Sequence, residues 1–247
     1  MHDGEIIVGK DIEDLNRRAA DEFVQLARRS VETAGRFAVA LSGGATPRAL
    51  YSLLATPEFC SQVPWTEAHF FWGDERCAPP DHPDSNYRMA FESLLCKVPV
   101  PEQNIHRIEG EEVPEVAAAK YEKVLRDFFS LSGAARPRFD LIFLGLGDDG
   151  HTASLFPGSE ALQETKRLVA AVYVEKLKAH RVTLTLPVFN HAANIFFLVV
   201  GESKAAILRD VLRPRAAPKK LPVRKIDPPN GRLVWFVDQH AAASLQS

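Results

Sequence analysis

Apolar and polar positions along the chain switch between two periods, and the switches mark out short strands and longer helices. Glu5 to Gly9 predicts a first strand. Ile12, Leu15, Ala19, Phe23 and Leu26 then recur at threes and fours, the spacing of one helix face. Phe37 to Leu41 predicts a second strand, and Thr46 as N-cap with Pro47 as first helical residue predicts a helix through RALYSLL. A third apolar run, His69 to Gly73, ends in Asp74-Glu75-Arg76, and a helix is expected from Ser85-Asn86-Tyr87 onward. Ala117, Tyr121, Val124, Leu125 and Phe128 make one apolar stripe on a helix from Val113 to Phe129. Phe139 to Leu144 reads as a buried strand. Arg167 to Val174, Arg181 to Leu186 and Asn194 to Val200 read as further strands, and Glu202 to Leu212 as a helix. The strand Leu233 to Asp238 and a short alanine-rich helix close the chain.

Strands alternating with helices, without an internal repeat, imply the α/β class: a mostly parallel sheet covered on both faces. Residues 1–247 read as one domain, because the closing strand needs a sheet to join. Arg213 to Asn230 is the one long irregular segment, with five prolines and several basic residues. It predicts a solvated loop or flap. Aromatic residues are absent and the prolines preclude a recognition helix, so it does not suit nucleic acid.

Composition narrows the chemistry. At 247 residues, with 46% hydrophobic and 25% charged positions, the chain is an ordinary globular protein with ample length for a core. A formal charge of −2 gives no broad attraction to nucleic acid or anionic lipid, so an anion must be held locally. The acidic start lacks an apolar signal region, and the longest apolar run, Ile195 to Val200, is too short for a bilayer. Cys60, Cys77 and Cys96 show no C-x-x-C spacing and read as incidental thiols of a cytoplasmic protein.

Phe139 to Gly158, FDLIFLGLGDDGHTASLFPG, holds the densest chemistry: a buried strand followed by Asp148, Asp149 and His151 among glycines. Gly145, Gly147 and Gly150 satisfy the dinucleotide pattern G-x-G-x-x-G. A pyrophosphate would, however, meet both aspartates, and like charges about 4 Å apart repel by roughly 1 kcal/mol in water and about 4 at an intermediate dielectric. Pro157 and Gly158 also interrupt the helix that would receive it. The aspartates and histidine could instead ligate a metal, but no second histidine cluster or H-E-x-x-H accompanies them, so none is expected. No G-x-S-x-G elbow supports a serine acyl-enzyme.

A second stretch, Ser42-Gly43-Gly44-Ala45-Thr46-Pro47, lets backbone N–H groups converge beside a helix start. It lacks a P-loop lysine, so a phosphate monoester fits better than a nucleoside triphosphate. Arg181 opens RVTLTLP, and Lys204 lies in the first turn of a helix, where a lysine opposes the dipole unless an anion is bound.

Together, LSGGATPRALY, WGDER, SNYRMA, GLGDDGHTASLFPGS, RVTLTLP and GESKAAIL closely resemble the 6-phosphogluconolactonase family, from about Ala38 to Leu208, and GRLVWFVDQHAAASL is similar too. The resemblance implies a Rossmann-like three-layer α/β/α sandwich. It also implies hydrolysis of 6-phospho-D-glucono-1,5-lactone to 6-phospho-D-gluconate in the pentose phosphate pathway, without a cofactor. His151 resembles the family's general base, Asp149 its electrostatic or orienting partner, and Arg76 the arginine near the lactone. Ser42, Gly43, Gly44, Thr46, Arg181 and Lys204 resemble the phosphate-side residues. Ala45 departs from a common serine. Asp74 could be a second acid, and Asn86 could contact substrate or only cap its helix. Whether Asp148 or Asp149 partners His151 stays open. The expected partner is a small sugar-phosphate lactone, with no nucleic acid and no membrane. A monomer is expected, with an oligomer left open. The closest rival, an amino-sugar-phosphate deaminase, carries a glutamate in FNEP where this chain reads SLFP.

Overall fold

The computed structural model describes residues 4–213 and 221–245. Residues 214–220, within the expected loop or flap, lie outside the described residues, and the part that follows is not solvated as expected, because Leu221, Pro222, Val223 and Ile226 are buried around a 3-10 turn. Six strands form a wholly parallel sheet: β1 (Glu5–Gly9), β2 (Phe37–Leu41), β3 (Ala68–Trp72), β5 (Leu141–Leu144), β8 (Asn194–Val199) and β9 (Arg232–Asp238). Their order is β1-β9-β8-β5-β2-β3. Every residue of β2 and β5 is buried, as a parallel sheet covered by helices on both faces requires. The protein thus has the α/β sandwich expected of it.

The helices begin where local chemistry allows. Helix α1 (Ile12–Ala34) starts at Asp11, whose carboxylate accepts from the Asp14 N–H, and ends at Gly35 in the left-handed region (φ 72°). Its inner face places Leu15, Ala19, Phe23 and Ala27 in the core. Helix α2 (Ala45–Leu54) differs from expectation. Its N-cap is Gly44, not Thr46, and no side chain caps it. Gly44 has φ 111°, which suits glycine, and this lets the chain turn from β2 directly into the helix. Pro47, placed in the first turn rather than at its head, removes an N–H that lacks an intrahelical partner anyway. Short helix α3 (Pro57–Cys60) then leads on toward β3.

One architectural feature departs from strict alternation. After β3 the chain passes through Gly73 into a three-residue strand, β4 (Asp74–Arg76). It pairs antiparallel with β7 (Ala179–Leu184), and β7 with β6 (Val169–Val174). The Arg167–Val174 and Arg181–Leu186 segments are therefore a hairpin in a separate sheet, not members of the parallel one. Only a four-residue turn joins them, and parallel strands need a longer crossover. Gly73 stitches the sheets: its N–H donates to Leu41 O at 2.9 Å, and its carbonyl accepts from the Leu184 N–H at 2.9 Å.

Helices α4 (Asn86–Ser93), α5 (Pro114–Phe128), α6 (Leu186–Phe189), α7 (Ala205–Leu212) and α8 (Gln239–Ala242) complete the described α-helices. Two buried tyrosines fix strand ends. Tyr51 of α2 accepts from the Ser42 N–H at 3.0 Å and donates to Ser42 O at 3.1 Å. Tyr121 of α5 makes the same pair of bonds with Trp72, at 2.8 and 3.0 Å. Among the described residues, no helix is long and apolar enough to cross a membrane.

Candidate active site

Strand order reverses between β2 and β5: β2 leads outward to β3, whereas β5 leads the other way to β8 and β9. Open α/β sheets bind ligands in the crevice at the carboxyl ends of such a strand pair. The turn after β2 is Ser42-Gly43-Gly44, and the loop after β5 carries His151. A cleft of about 320 Å³ lies there.

Of the residues singled out from sequence, Ser42, Gly43, Asp74, Arg76, Asn86, His151 and Lys204 line this cleft. Gly44, Thr46, Asp149 and Arg181 are not among its walls. Thr46 lies in the first turn of α2. Arg181 stands directly across the short sheet from Arg76. Burial, and then the like charge of Arg76, makes the cationic form of Arg181 less favourable.

Asp149, not Asp148, partners the histidine. Its Oδ1 lies 2.5 Å from His151 Nδ1 and accepts the His151 backbone N–H at 3.2 Å. Its Oδ2 accepts from Lys176 at 3.1 Å. Burial works to raise this carboxyl, but the hydrogen bonds from His151 and Lys176 outweigh it and hold the group down to about 2. An ionised carboxylate only accepts, so Nδ1 donates to it, and the lone pair of an imidazole without a second proton then sits on Nε2. The ring of Phe156 stacks on the imidazole, with centroids 4.0 Å apart. Within the loop, Gly147 N–H donates to His151 O and Gly150 N–H to Gly147 O, at 2.8 and 3.0 Å. Val223 N–H donates to Gly150 O at 2.9 Å, which ties the loop to residues after the undescribed stretch.

Asp148 also lines the cleft but takes a different partner. It is paired with Lys204, whose ammonium holds the Asp148 carboxyl below its ordinary range. Lys204 closes a single 3-10 turn, Glu202–Lys204, and is itself the N-cap of α7.

The opposite wall comes from β4 and α4. Asp74 accepts from Ser154 Oγ at 2.7 Å, and Asn86 Nδ2 donates to Asp74 O at 2.9 Å. Glu75 is buried beneath them. Its carboxylate accepts from the N–H groups of Arg76, Asn86 and Tyr87, at 2.8, 2.7 and 2.7 Å, and from Ser85 Oγ at 3.2 Å. Glu75 thereby anchors the start of α4, although burial pushes its carboxyl upward against those bonds. Arg76 pairs with neither neighbouring acid through its side chain; its Nη1 donates to Asp84 O at 2.7 Å. Asn86 does not cap α4, because Ser85 is the N-cap and its hydroxyl accepts from the Arg88 N–H at 3.1 Å; the Asn86 amide instead packs on Gly43 so closely that a Cβ there would fall 1.7 Å from Oδ1.

Sequence reasoning missed Lys176, Ser154, Thr152 and the anchoring role of Tyr51. Lys176 lies in a polar turn without a motif, and Tyr51 reads as one more apolar helix position. Ser154 and Thr152 lie inside GLGDDGHTASLFPGS with no spacing to single them out. Among the described residues, no group of three or more His, Cys, Asp or Glu side chains is arranged to hold a metal ion.

A switch-point cleft that combines a carboxylate-backed imidazole with cations is the layout of a small-molecule α/β enzyme. Comparison with known proteins sharpens that class. The model of the family described as glucosamine-6-phosphate isomerases/6-phosphogluconolactonase matches residues 10–235, and the chain belongs to this family. A protein named 6-phosphogluconolactonase from a Nostoc strain is 42% identical over 232 residues, covering 94% of each chain. One of the same name from a Synechocystis strain is 42% identical over 243 residues, covering 98% of each. The solved 6-phosphogluconolactonase of Trypanosoma cruzi superposes with a TM-score of 0.88 at 31% identity, covering 99% of this chain and 97% of that one.

Proposed function

We propose that this chain hydrolyses 6-phospho-D-glucono-1,5-lactone to 6-phospho-D-gluconate, the lactonase step of the oxidative pentose phosphate pathway. The observation that carries the reading is an imidazole backed by an ionised carboxylate, in the same cleft as Arg76 and Lys204. The near-complete coverage of relatives bearing that enzyme's name supports it.

In this mechanism Nε2 of His151 takes a proton from a water molecule as the water oxygen bonds to C1 of the lactone. Asp149 stabilises the resulting imidazolium without taking its proton. Arg76 or a backbone amide stabilises the oxyanion at the former carbonyl. The C1–ring oxygen bond then breaks, and the imidazolium returns its proton to the departing ring oxygen. The phosphate end is held on the cleft wall by Ser42, Gly43 and Lys204, with Gly44 and Thr46 at the start of α2 and Arg181, across the short sheet from Arg76, supporting it from outside the wall. Asp74 and Asn86 shape the wall that faces the sugar. No cofactor enters the mechanism.

The test is a pH-stat rate with freshly made 6-phosphogluconolactone, against the unphosphorylated lactone as control. The phosphorylated substrate should be turned over far faster. Equal rates would remove the phosphate site from the proposal. His151→Ala should lower kcat by about 10²–10⁴-fold while keeping affinity for 6-phosphogluconate; undiminished turnover would refute the base assignment. Ammonia released from glucosamine 6-phosphate would favour the deaminase instead.

A further inference from the structure

Lys176 belongs to neither the glycine turn nor the histidine loop, yet its ammonium reaches the outer oxygen of Asp149. It sits in the turn Glu175–Leu177 at the tip of the β6–β7 hairpin, which Lys178 closes in the left-handed region (φ 47°). The hairpin is part of the antiparallel sheet, whereas Asp149 follows β5 of the parallel one. This contact therefore bridges the two sheets beside the cleft.

The geometry of Asp149 gives the bridge a purpose. Oδ1 is occupied by the ring and backbone nitrogens of His151, and Oδ2 by Lys176. A carboxylate gripped at one oxygen turns about a soft terminal torsion, and the imidazole bound to it turns as well. Gripping both oxygens fixes the plane. The Lys176 side chain is 65% exposed, and an exposed ion pair contributes little to stability, so its effect is geometric and electrostatic.

We propose that Lys176 is a positioning residue for the reaction: by clamping the second oxygen of Asp149 it holds His151 with Nε2 presented to the cleft. The inference rests on His151 acting as the base. Among the described residues, the charged groups that share the cleft or a hydrogen bond with that ring are Asp149 and Asp148 from its own loop, Lys176 from the hairpin, Asp74 and Arg76 from β4, and Lys204 from the start of α7. Asp148 is already matched by Lys204. Neutralising Lys176 leaves Asp149 uncompensated, which favours the imidazolium and moves the acid limb of the rate profile to higher pH.

The experiment compares Lys176→Met and Lys176→Arg in the full-length protein. It measures kcat, KM, the pH profile of kcat/KM and the NMR titration of the His151 ring. For Lys176→Met, kcat should fall roughly tenfold with KM little changed. The acid limb and the ring titration should both move to higher pH, because removing a neighbouring cation favours the imidazolium. Lys176→Arg should restore all of these. A raised KM with unchanged kcat and titration makes the lysine a substrate contact and overturns the proposal, as does the absence of any change. A shifted ring titration with a stationary rate profile overturns it differently, because Lys176 then acts on a histidine that is not the base.

Discussion

The imidazole of His151 lies directly on Gly147: a Cβ built on that glycine would fall 2.1 Å from both Nδ1 and Cε1 of the ring. The bond from Gly147 N–H to His151 O fixes the same pair through the backbone. A methyl group at position 147 must push the ring off the Asp149 carboxylate or distort the loop. Gly147→Ala is therefore expected to lower kcat by about 10²-fold, the size of loss that a misplacement near 1 Å produces. Steady-state kinetics alongside circular dichroism of the folded variant would check it.

Lys204 and Arg181 are expected to separate. Lys204 lines the cleft, and losing a charged hydrogen bond there costs about 1.5–3 kcal/mol. Lys204→Ala should then raise KM by roughly 10- to 100-fold with a smaller change in kcat. Arg181→Ala, one strand further back, should raise KM less. Full kinetic curves on both variants give the comparison, and an unchanged KM would remove either residue from the phosphate side.

Tyr51 holds both backbone groups of Ser42 from inside the core. Tyr51→Phe keeps the packing but strands a buried N–H and a buried carbonyl, which costs about 1–3 kcal/mol for such a group. Thermal denaturation should show a lower Tm, and KM should rise because the glycine turn loosens. A Tm equal to wild type would mean that water replaces the hydroxyl at no cost.

Acid should weaken the fold before it reaches the carboxylates. His106 Nε2 lies 3.3 Å from His69 Nδ1, and its ring stacks on Phe71 with centroids 4.4 Å apart. Burial, and then His69, pushes His106 down to about 4. Between 6.5 and about 4 the unfolded chain binds a proton that the folded chain refuses. This contribution is complete above 6.5 and is lost as pH falls through about 4. His106→Gln should flatten the dependence of Tm on pH across that window.

Much of the parallel sheet is legible in the sequence. FAVAL and IFFLVV are continuous apolar runs because both faces of a central strand are covered, and the structure gives Phe37–Leu41 and Asn194–Val199. The family motifs likewise mark the loops after β2 and β5, whose proximity a one-dimensional reading cannot supply. Strand β4 was hidden because Asp74-Glu75-Arg76 carries three charges. Its pairing with β7 and the donors around Glu75 make it a strand, and both are tertiary. The Thr46 cap was plausible from residue preference alone. It fails because Gly44 turns the chain two residues earlier. Lys176 left no local trace, since its partner lies 27 residues away.

Gly73, hydrogen-bonded to Leu41 on one side and Leu184 on the other, divides the molecule's duties. The His151 loop rides on the deep, hydrophobic layer, whereas Arg76, Arg181 and Lys176 ride on a three-strand flank. Charge opposite the imidazole can thus be rewritten on that flank, one hairpin at a time, while the interior beneath the ring stays as it is.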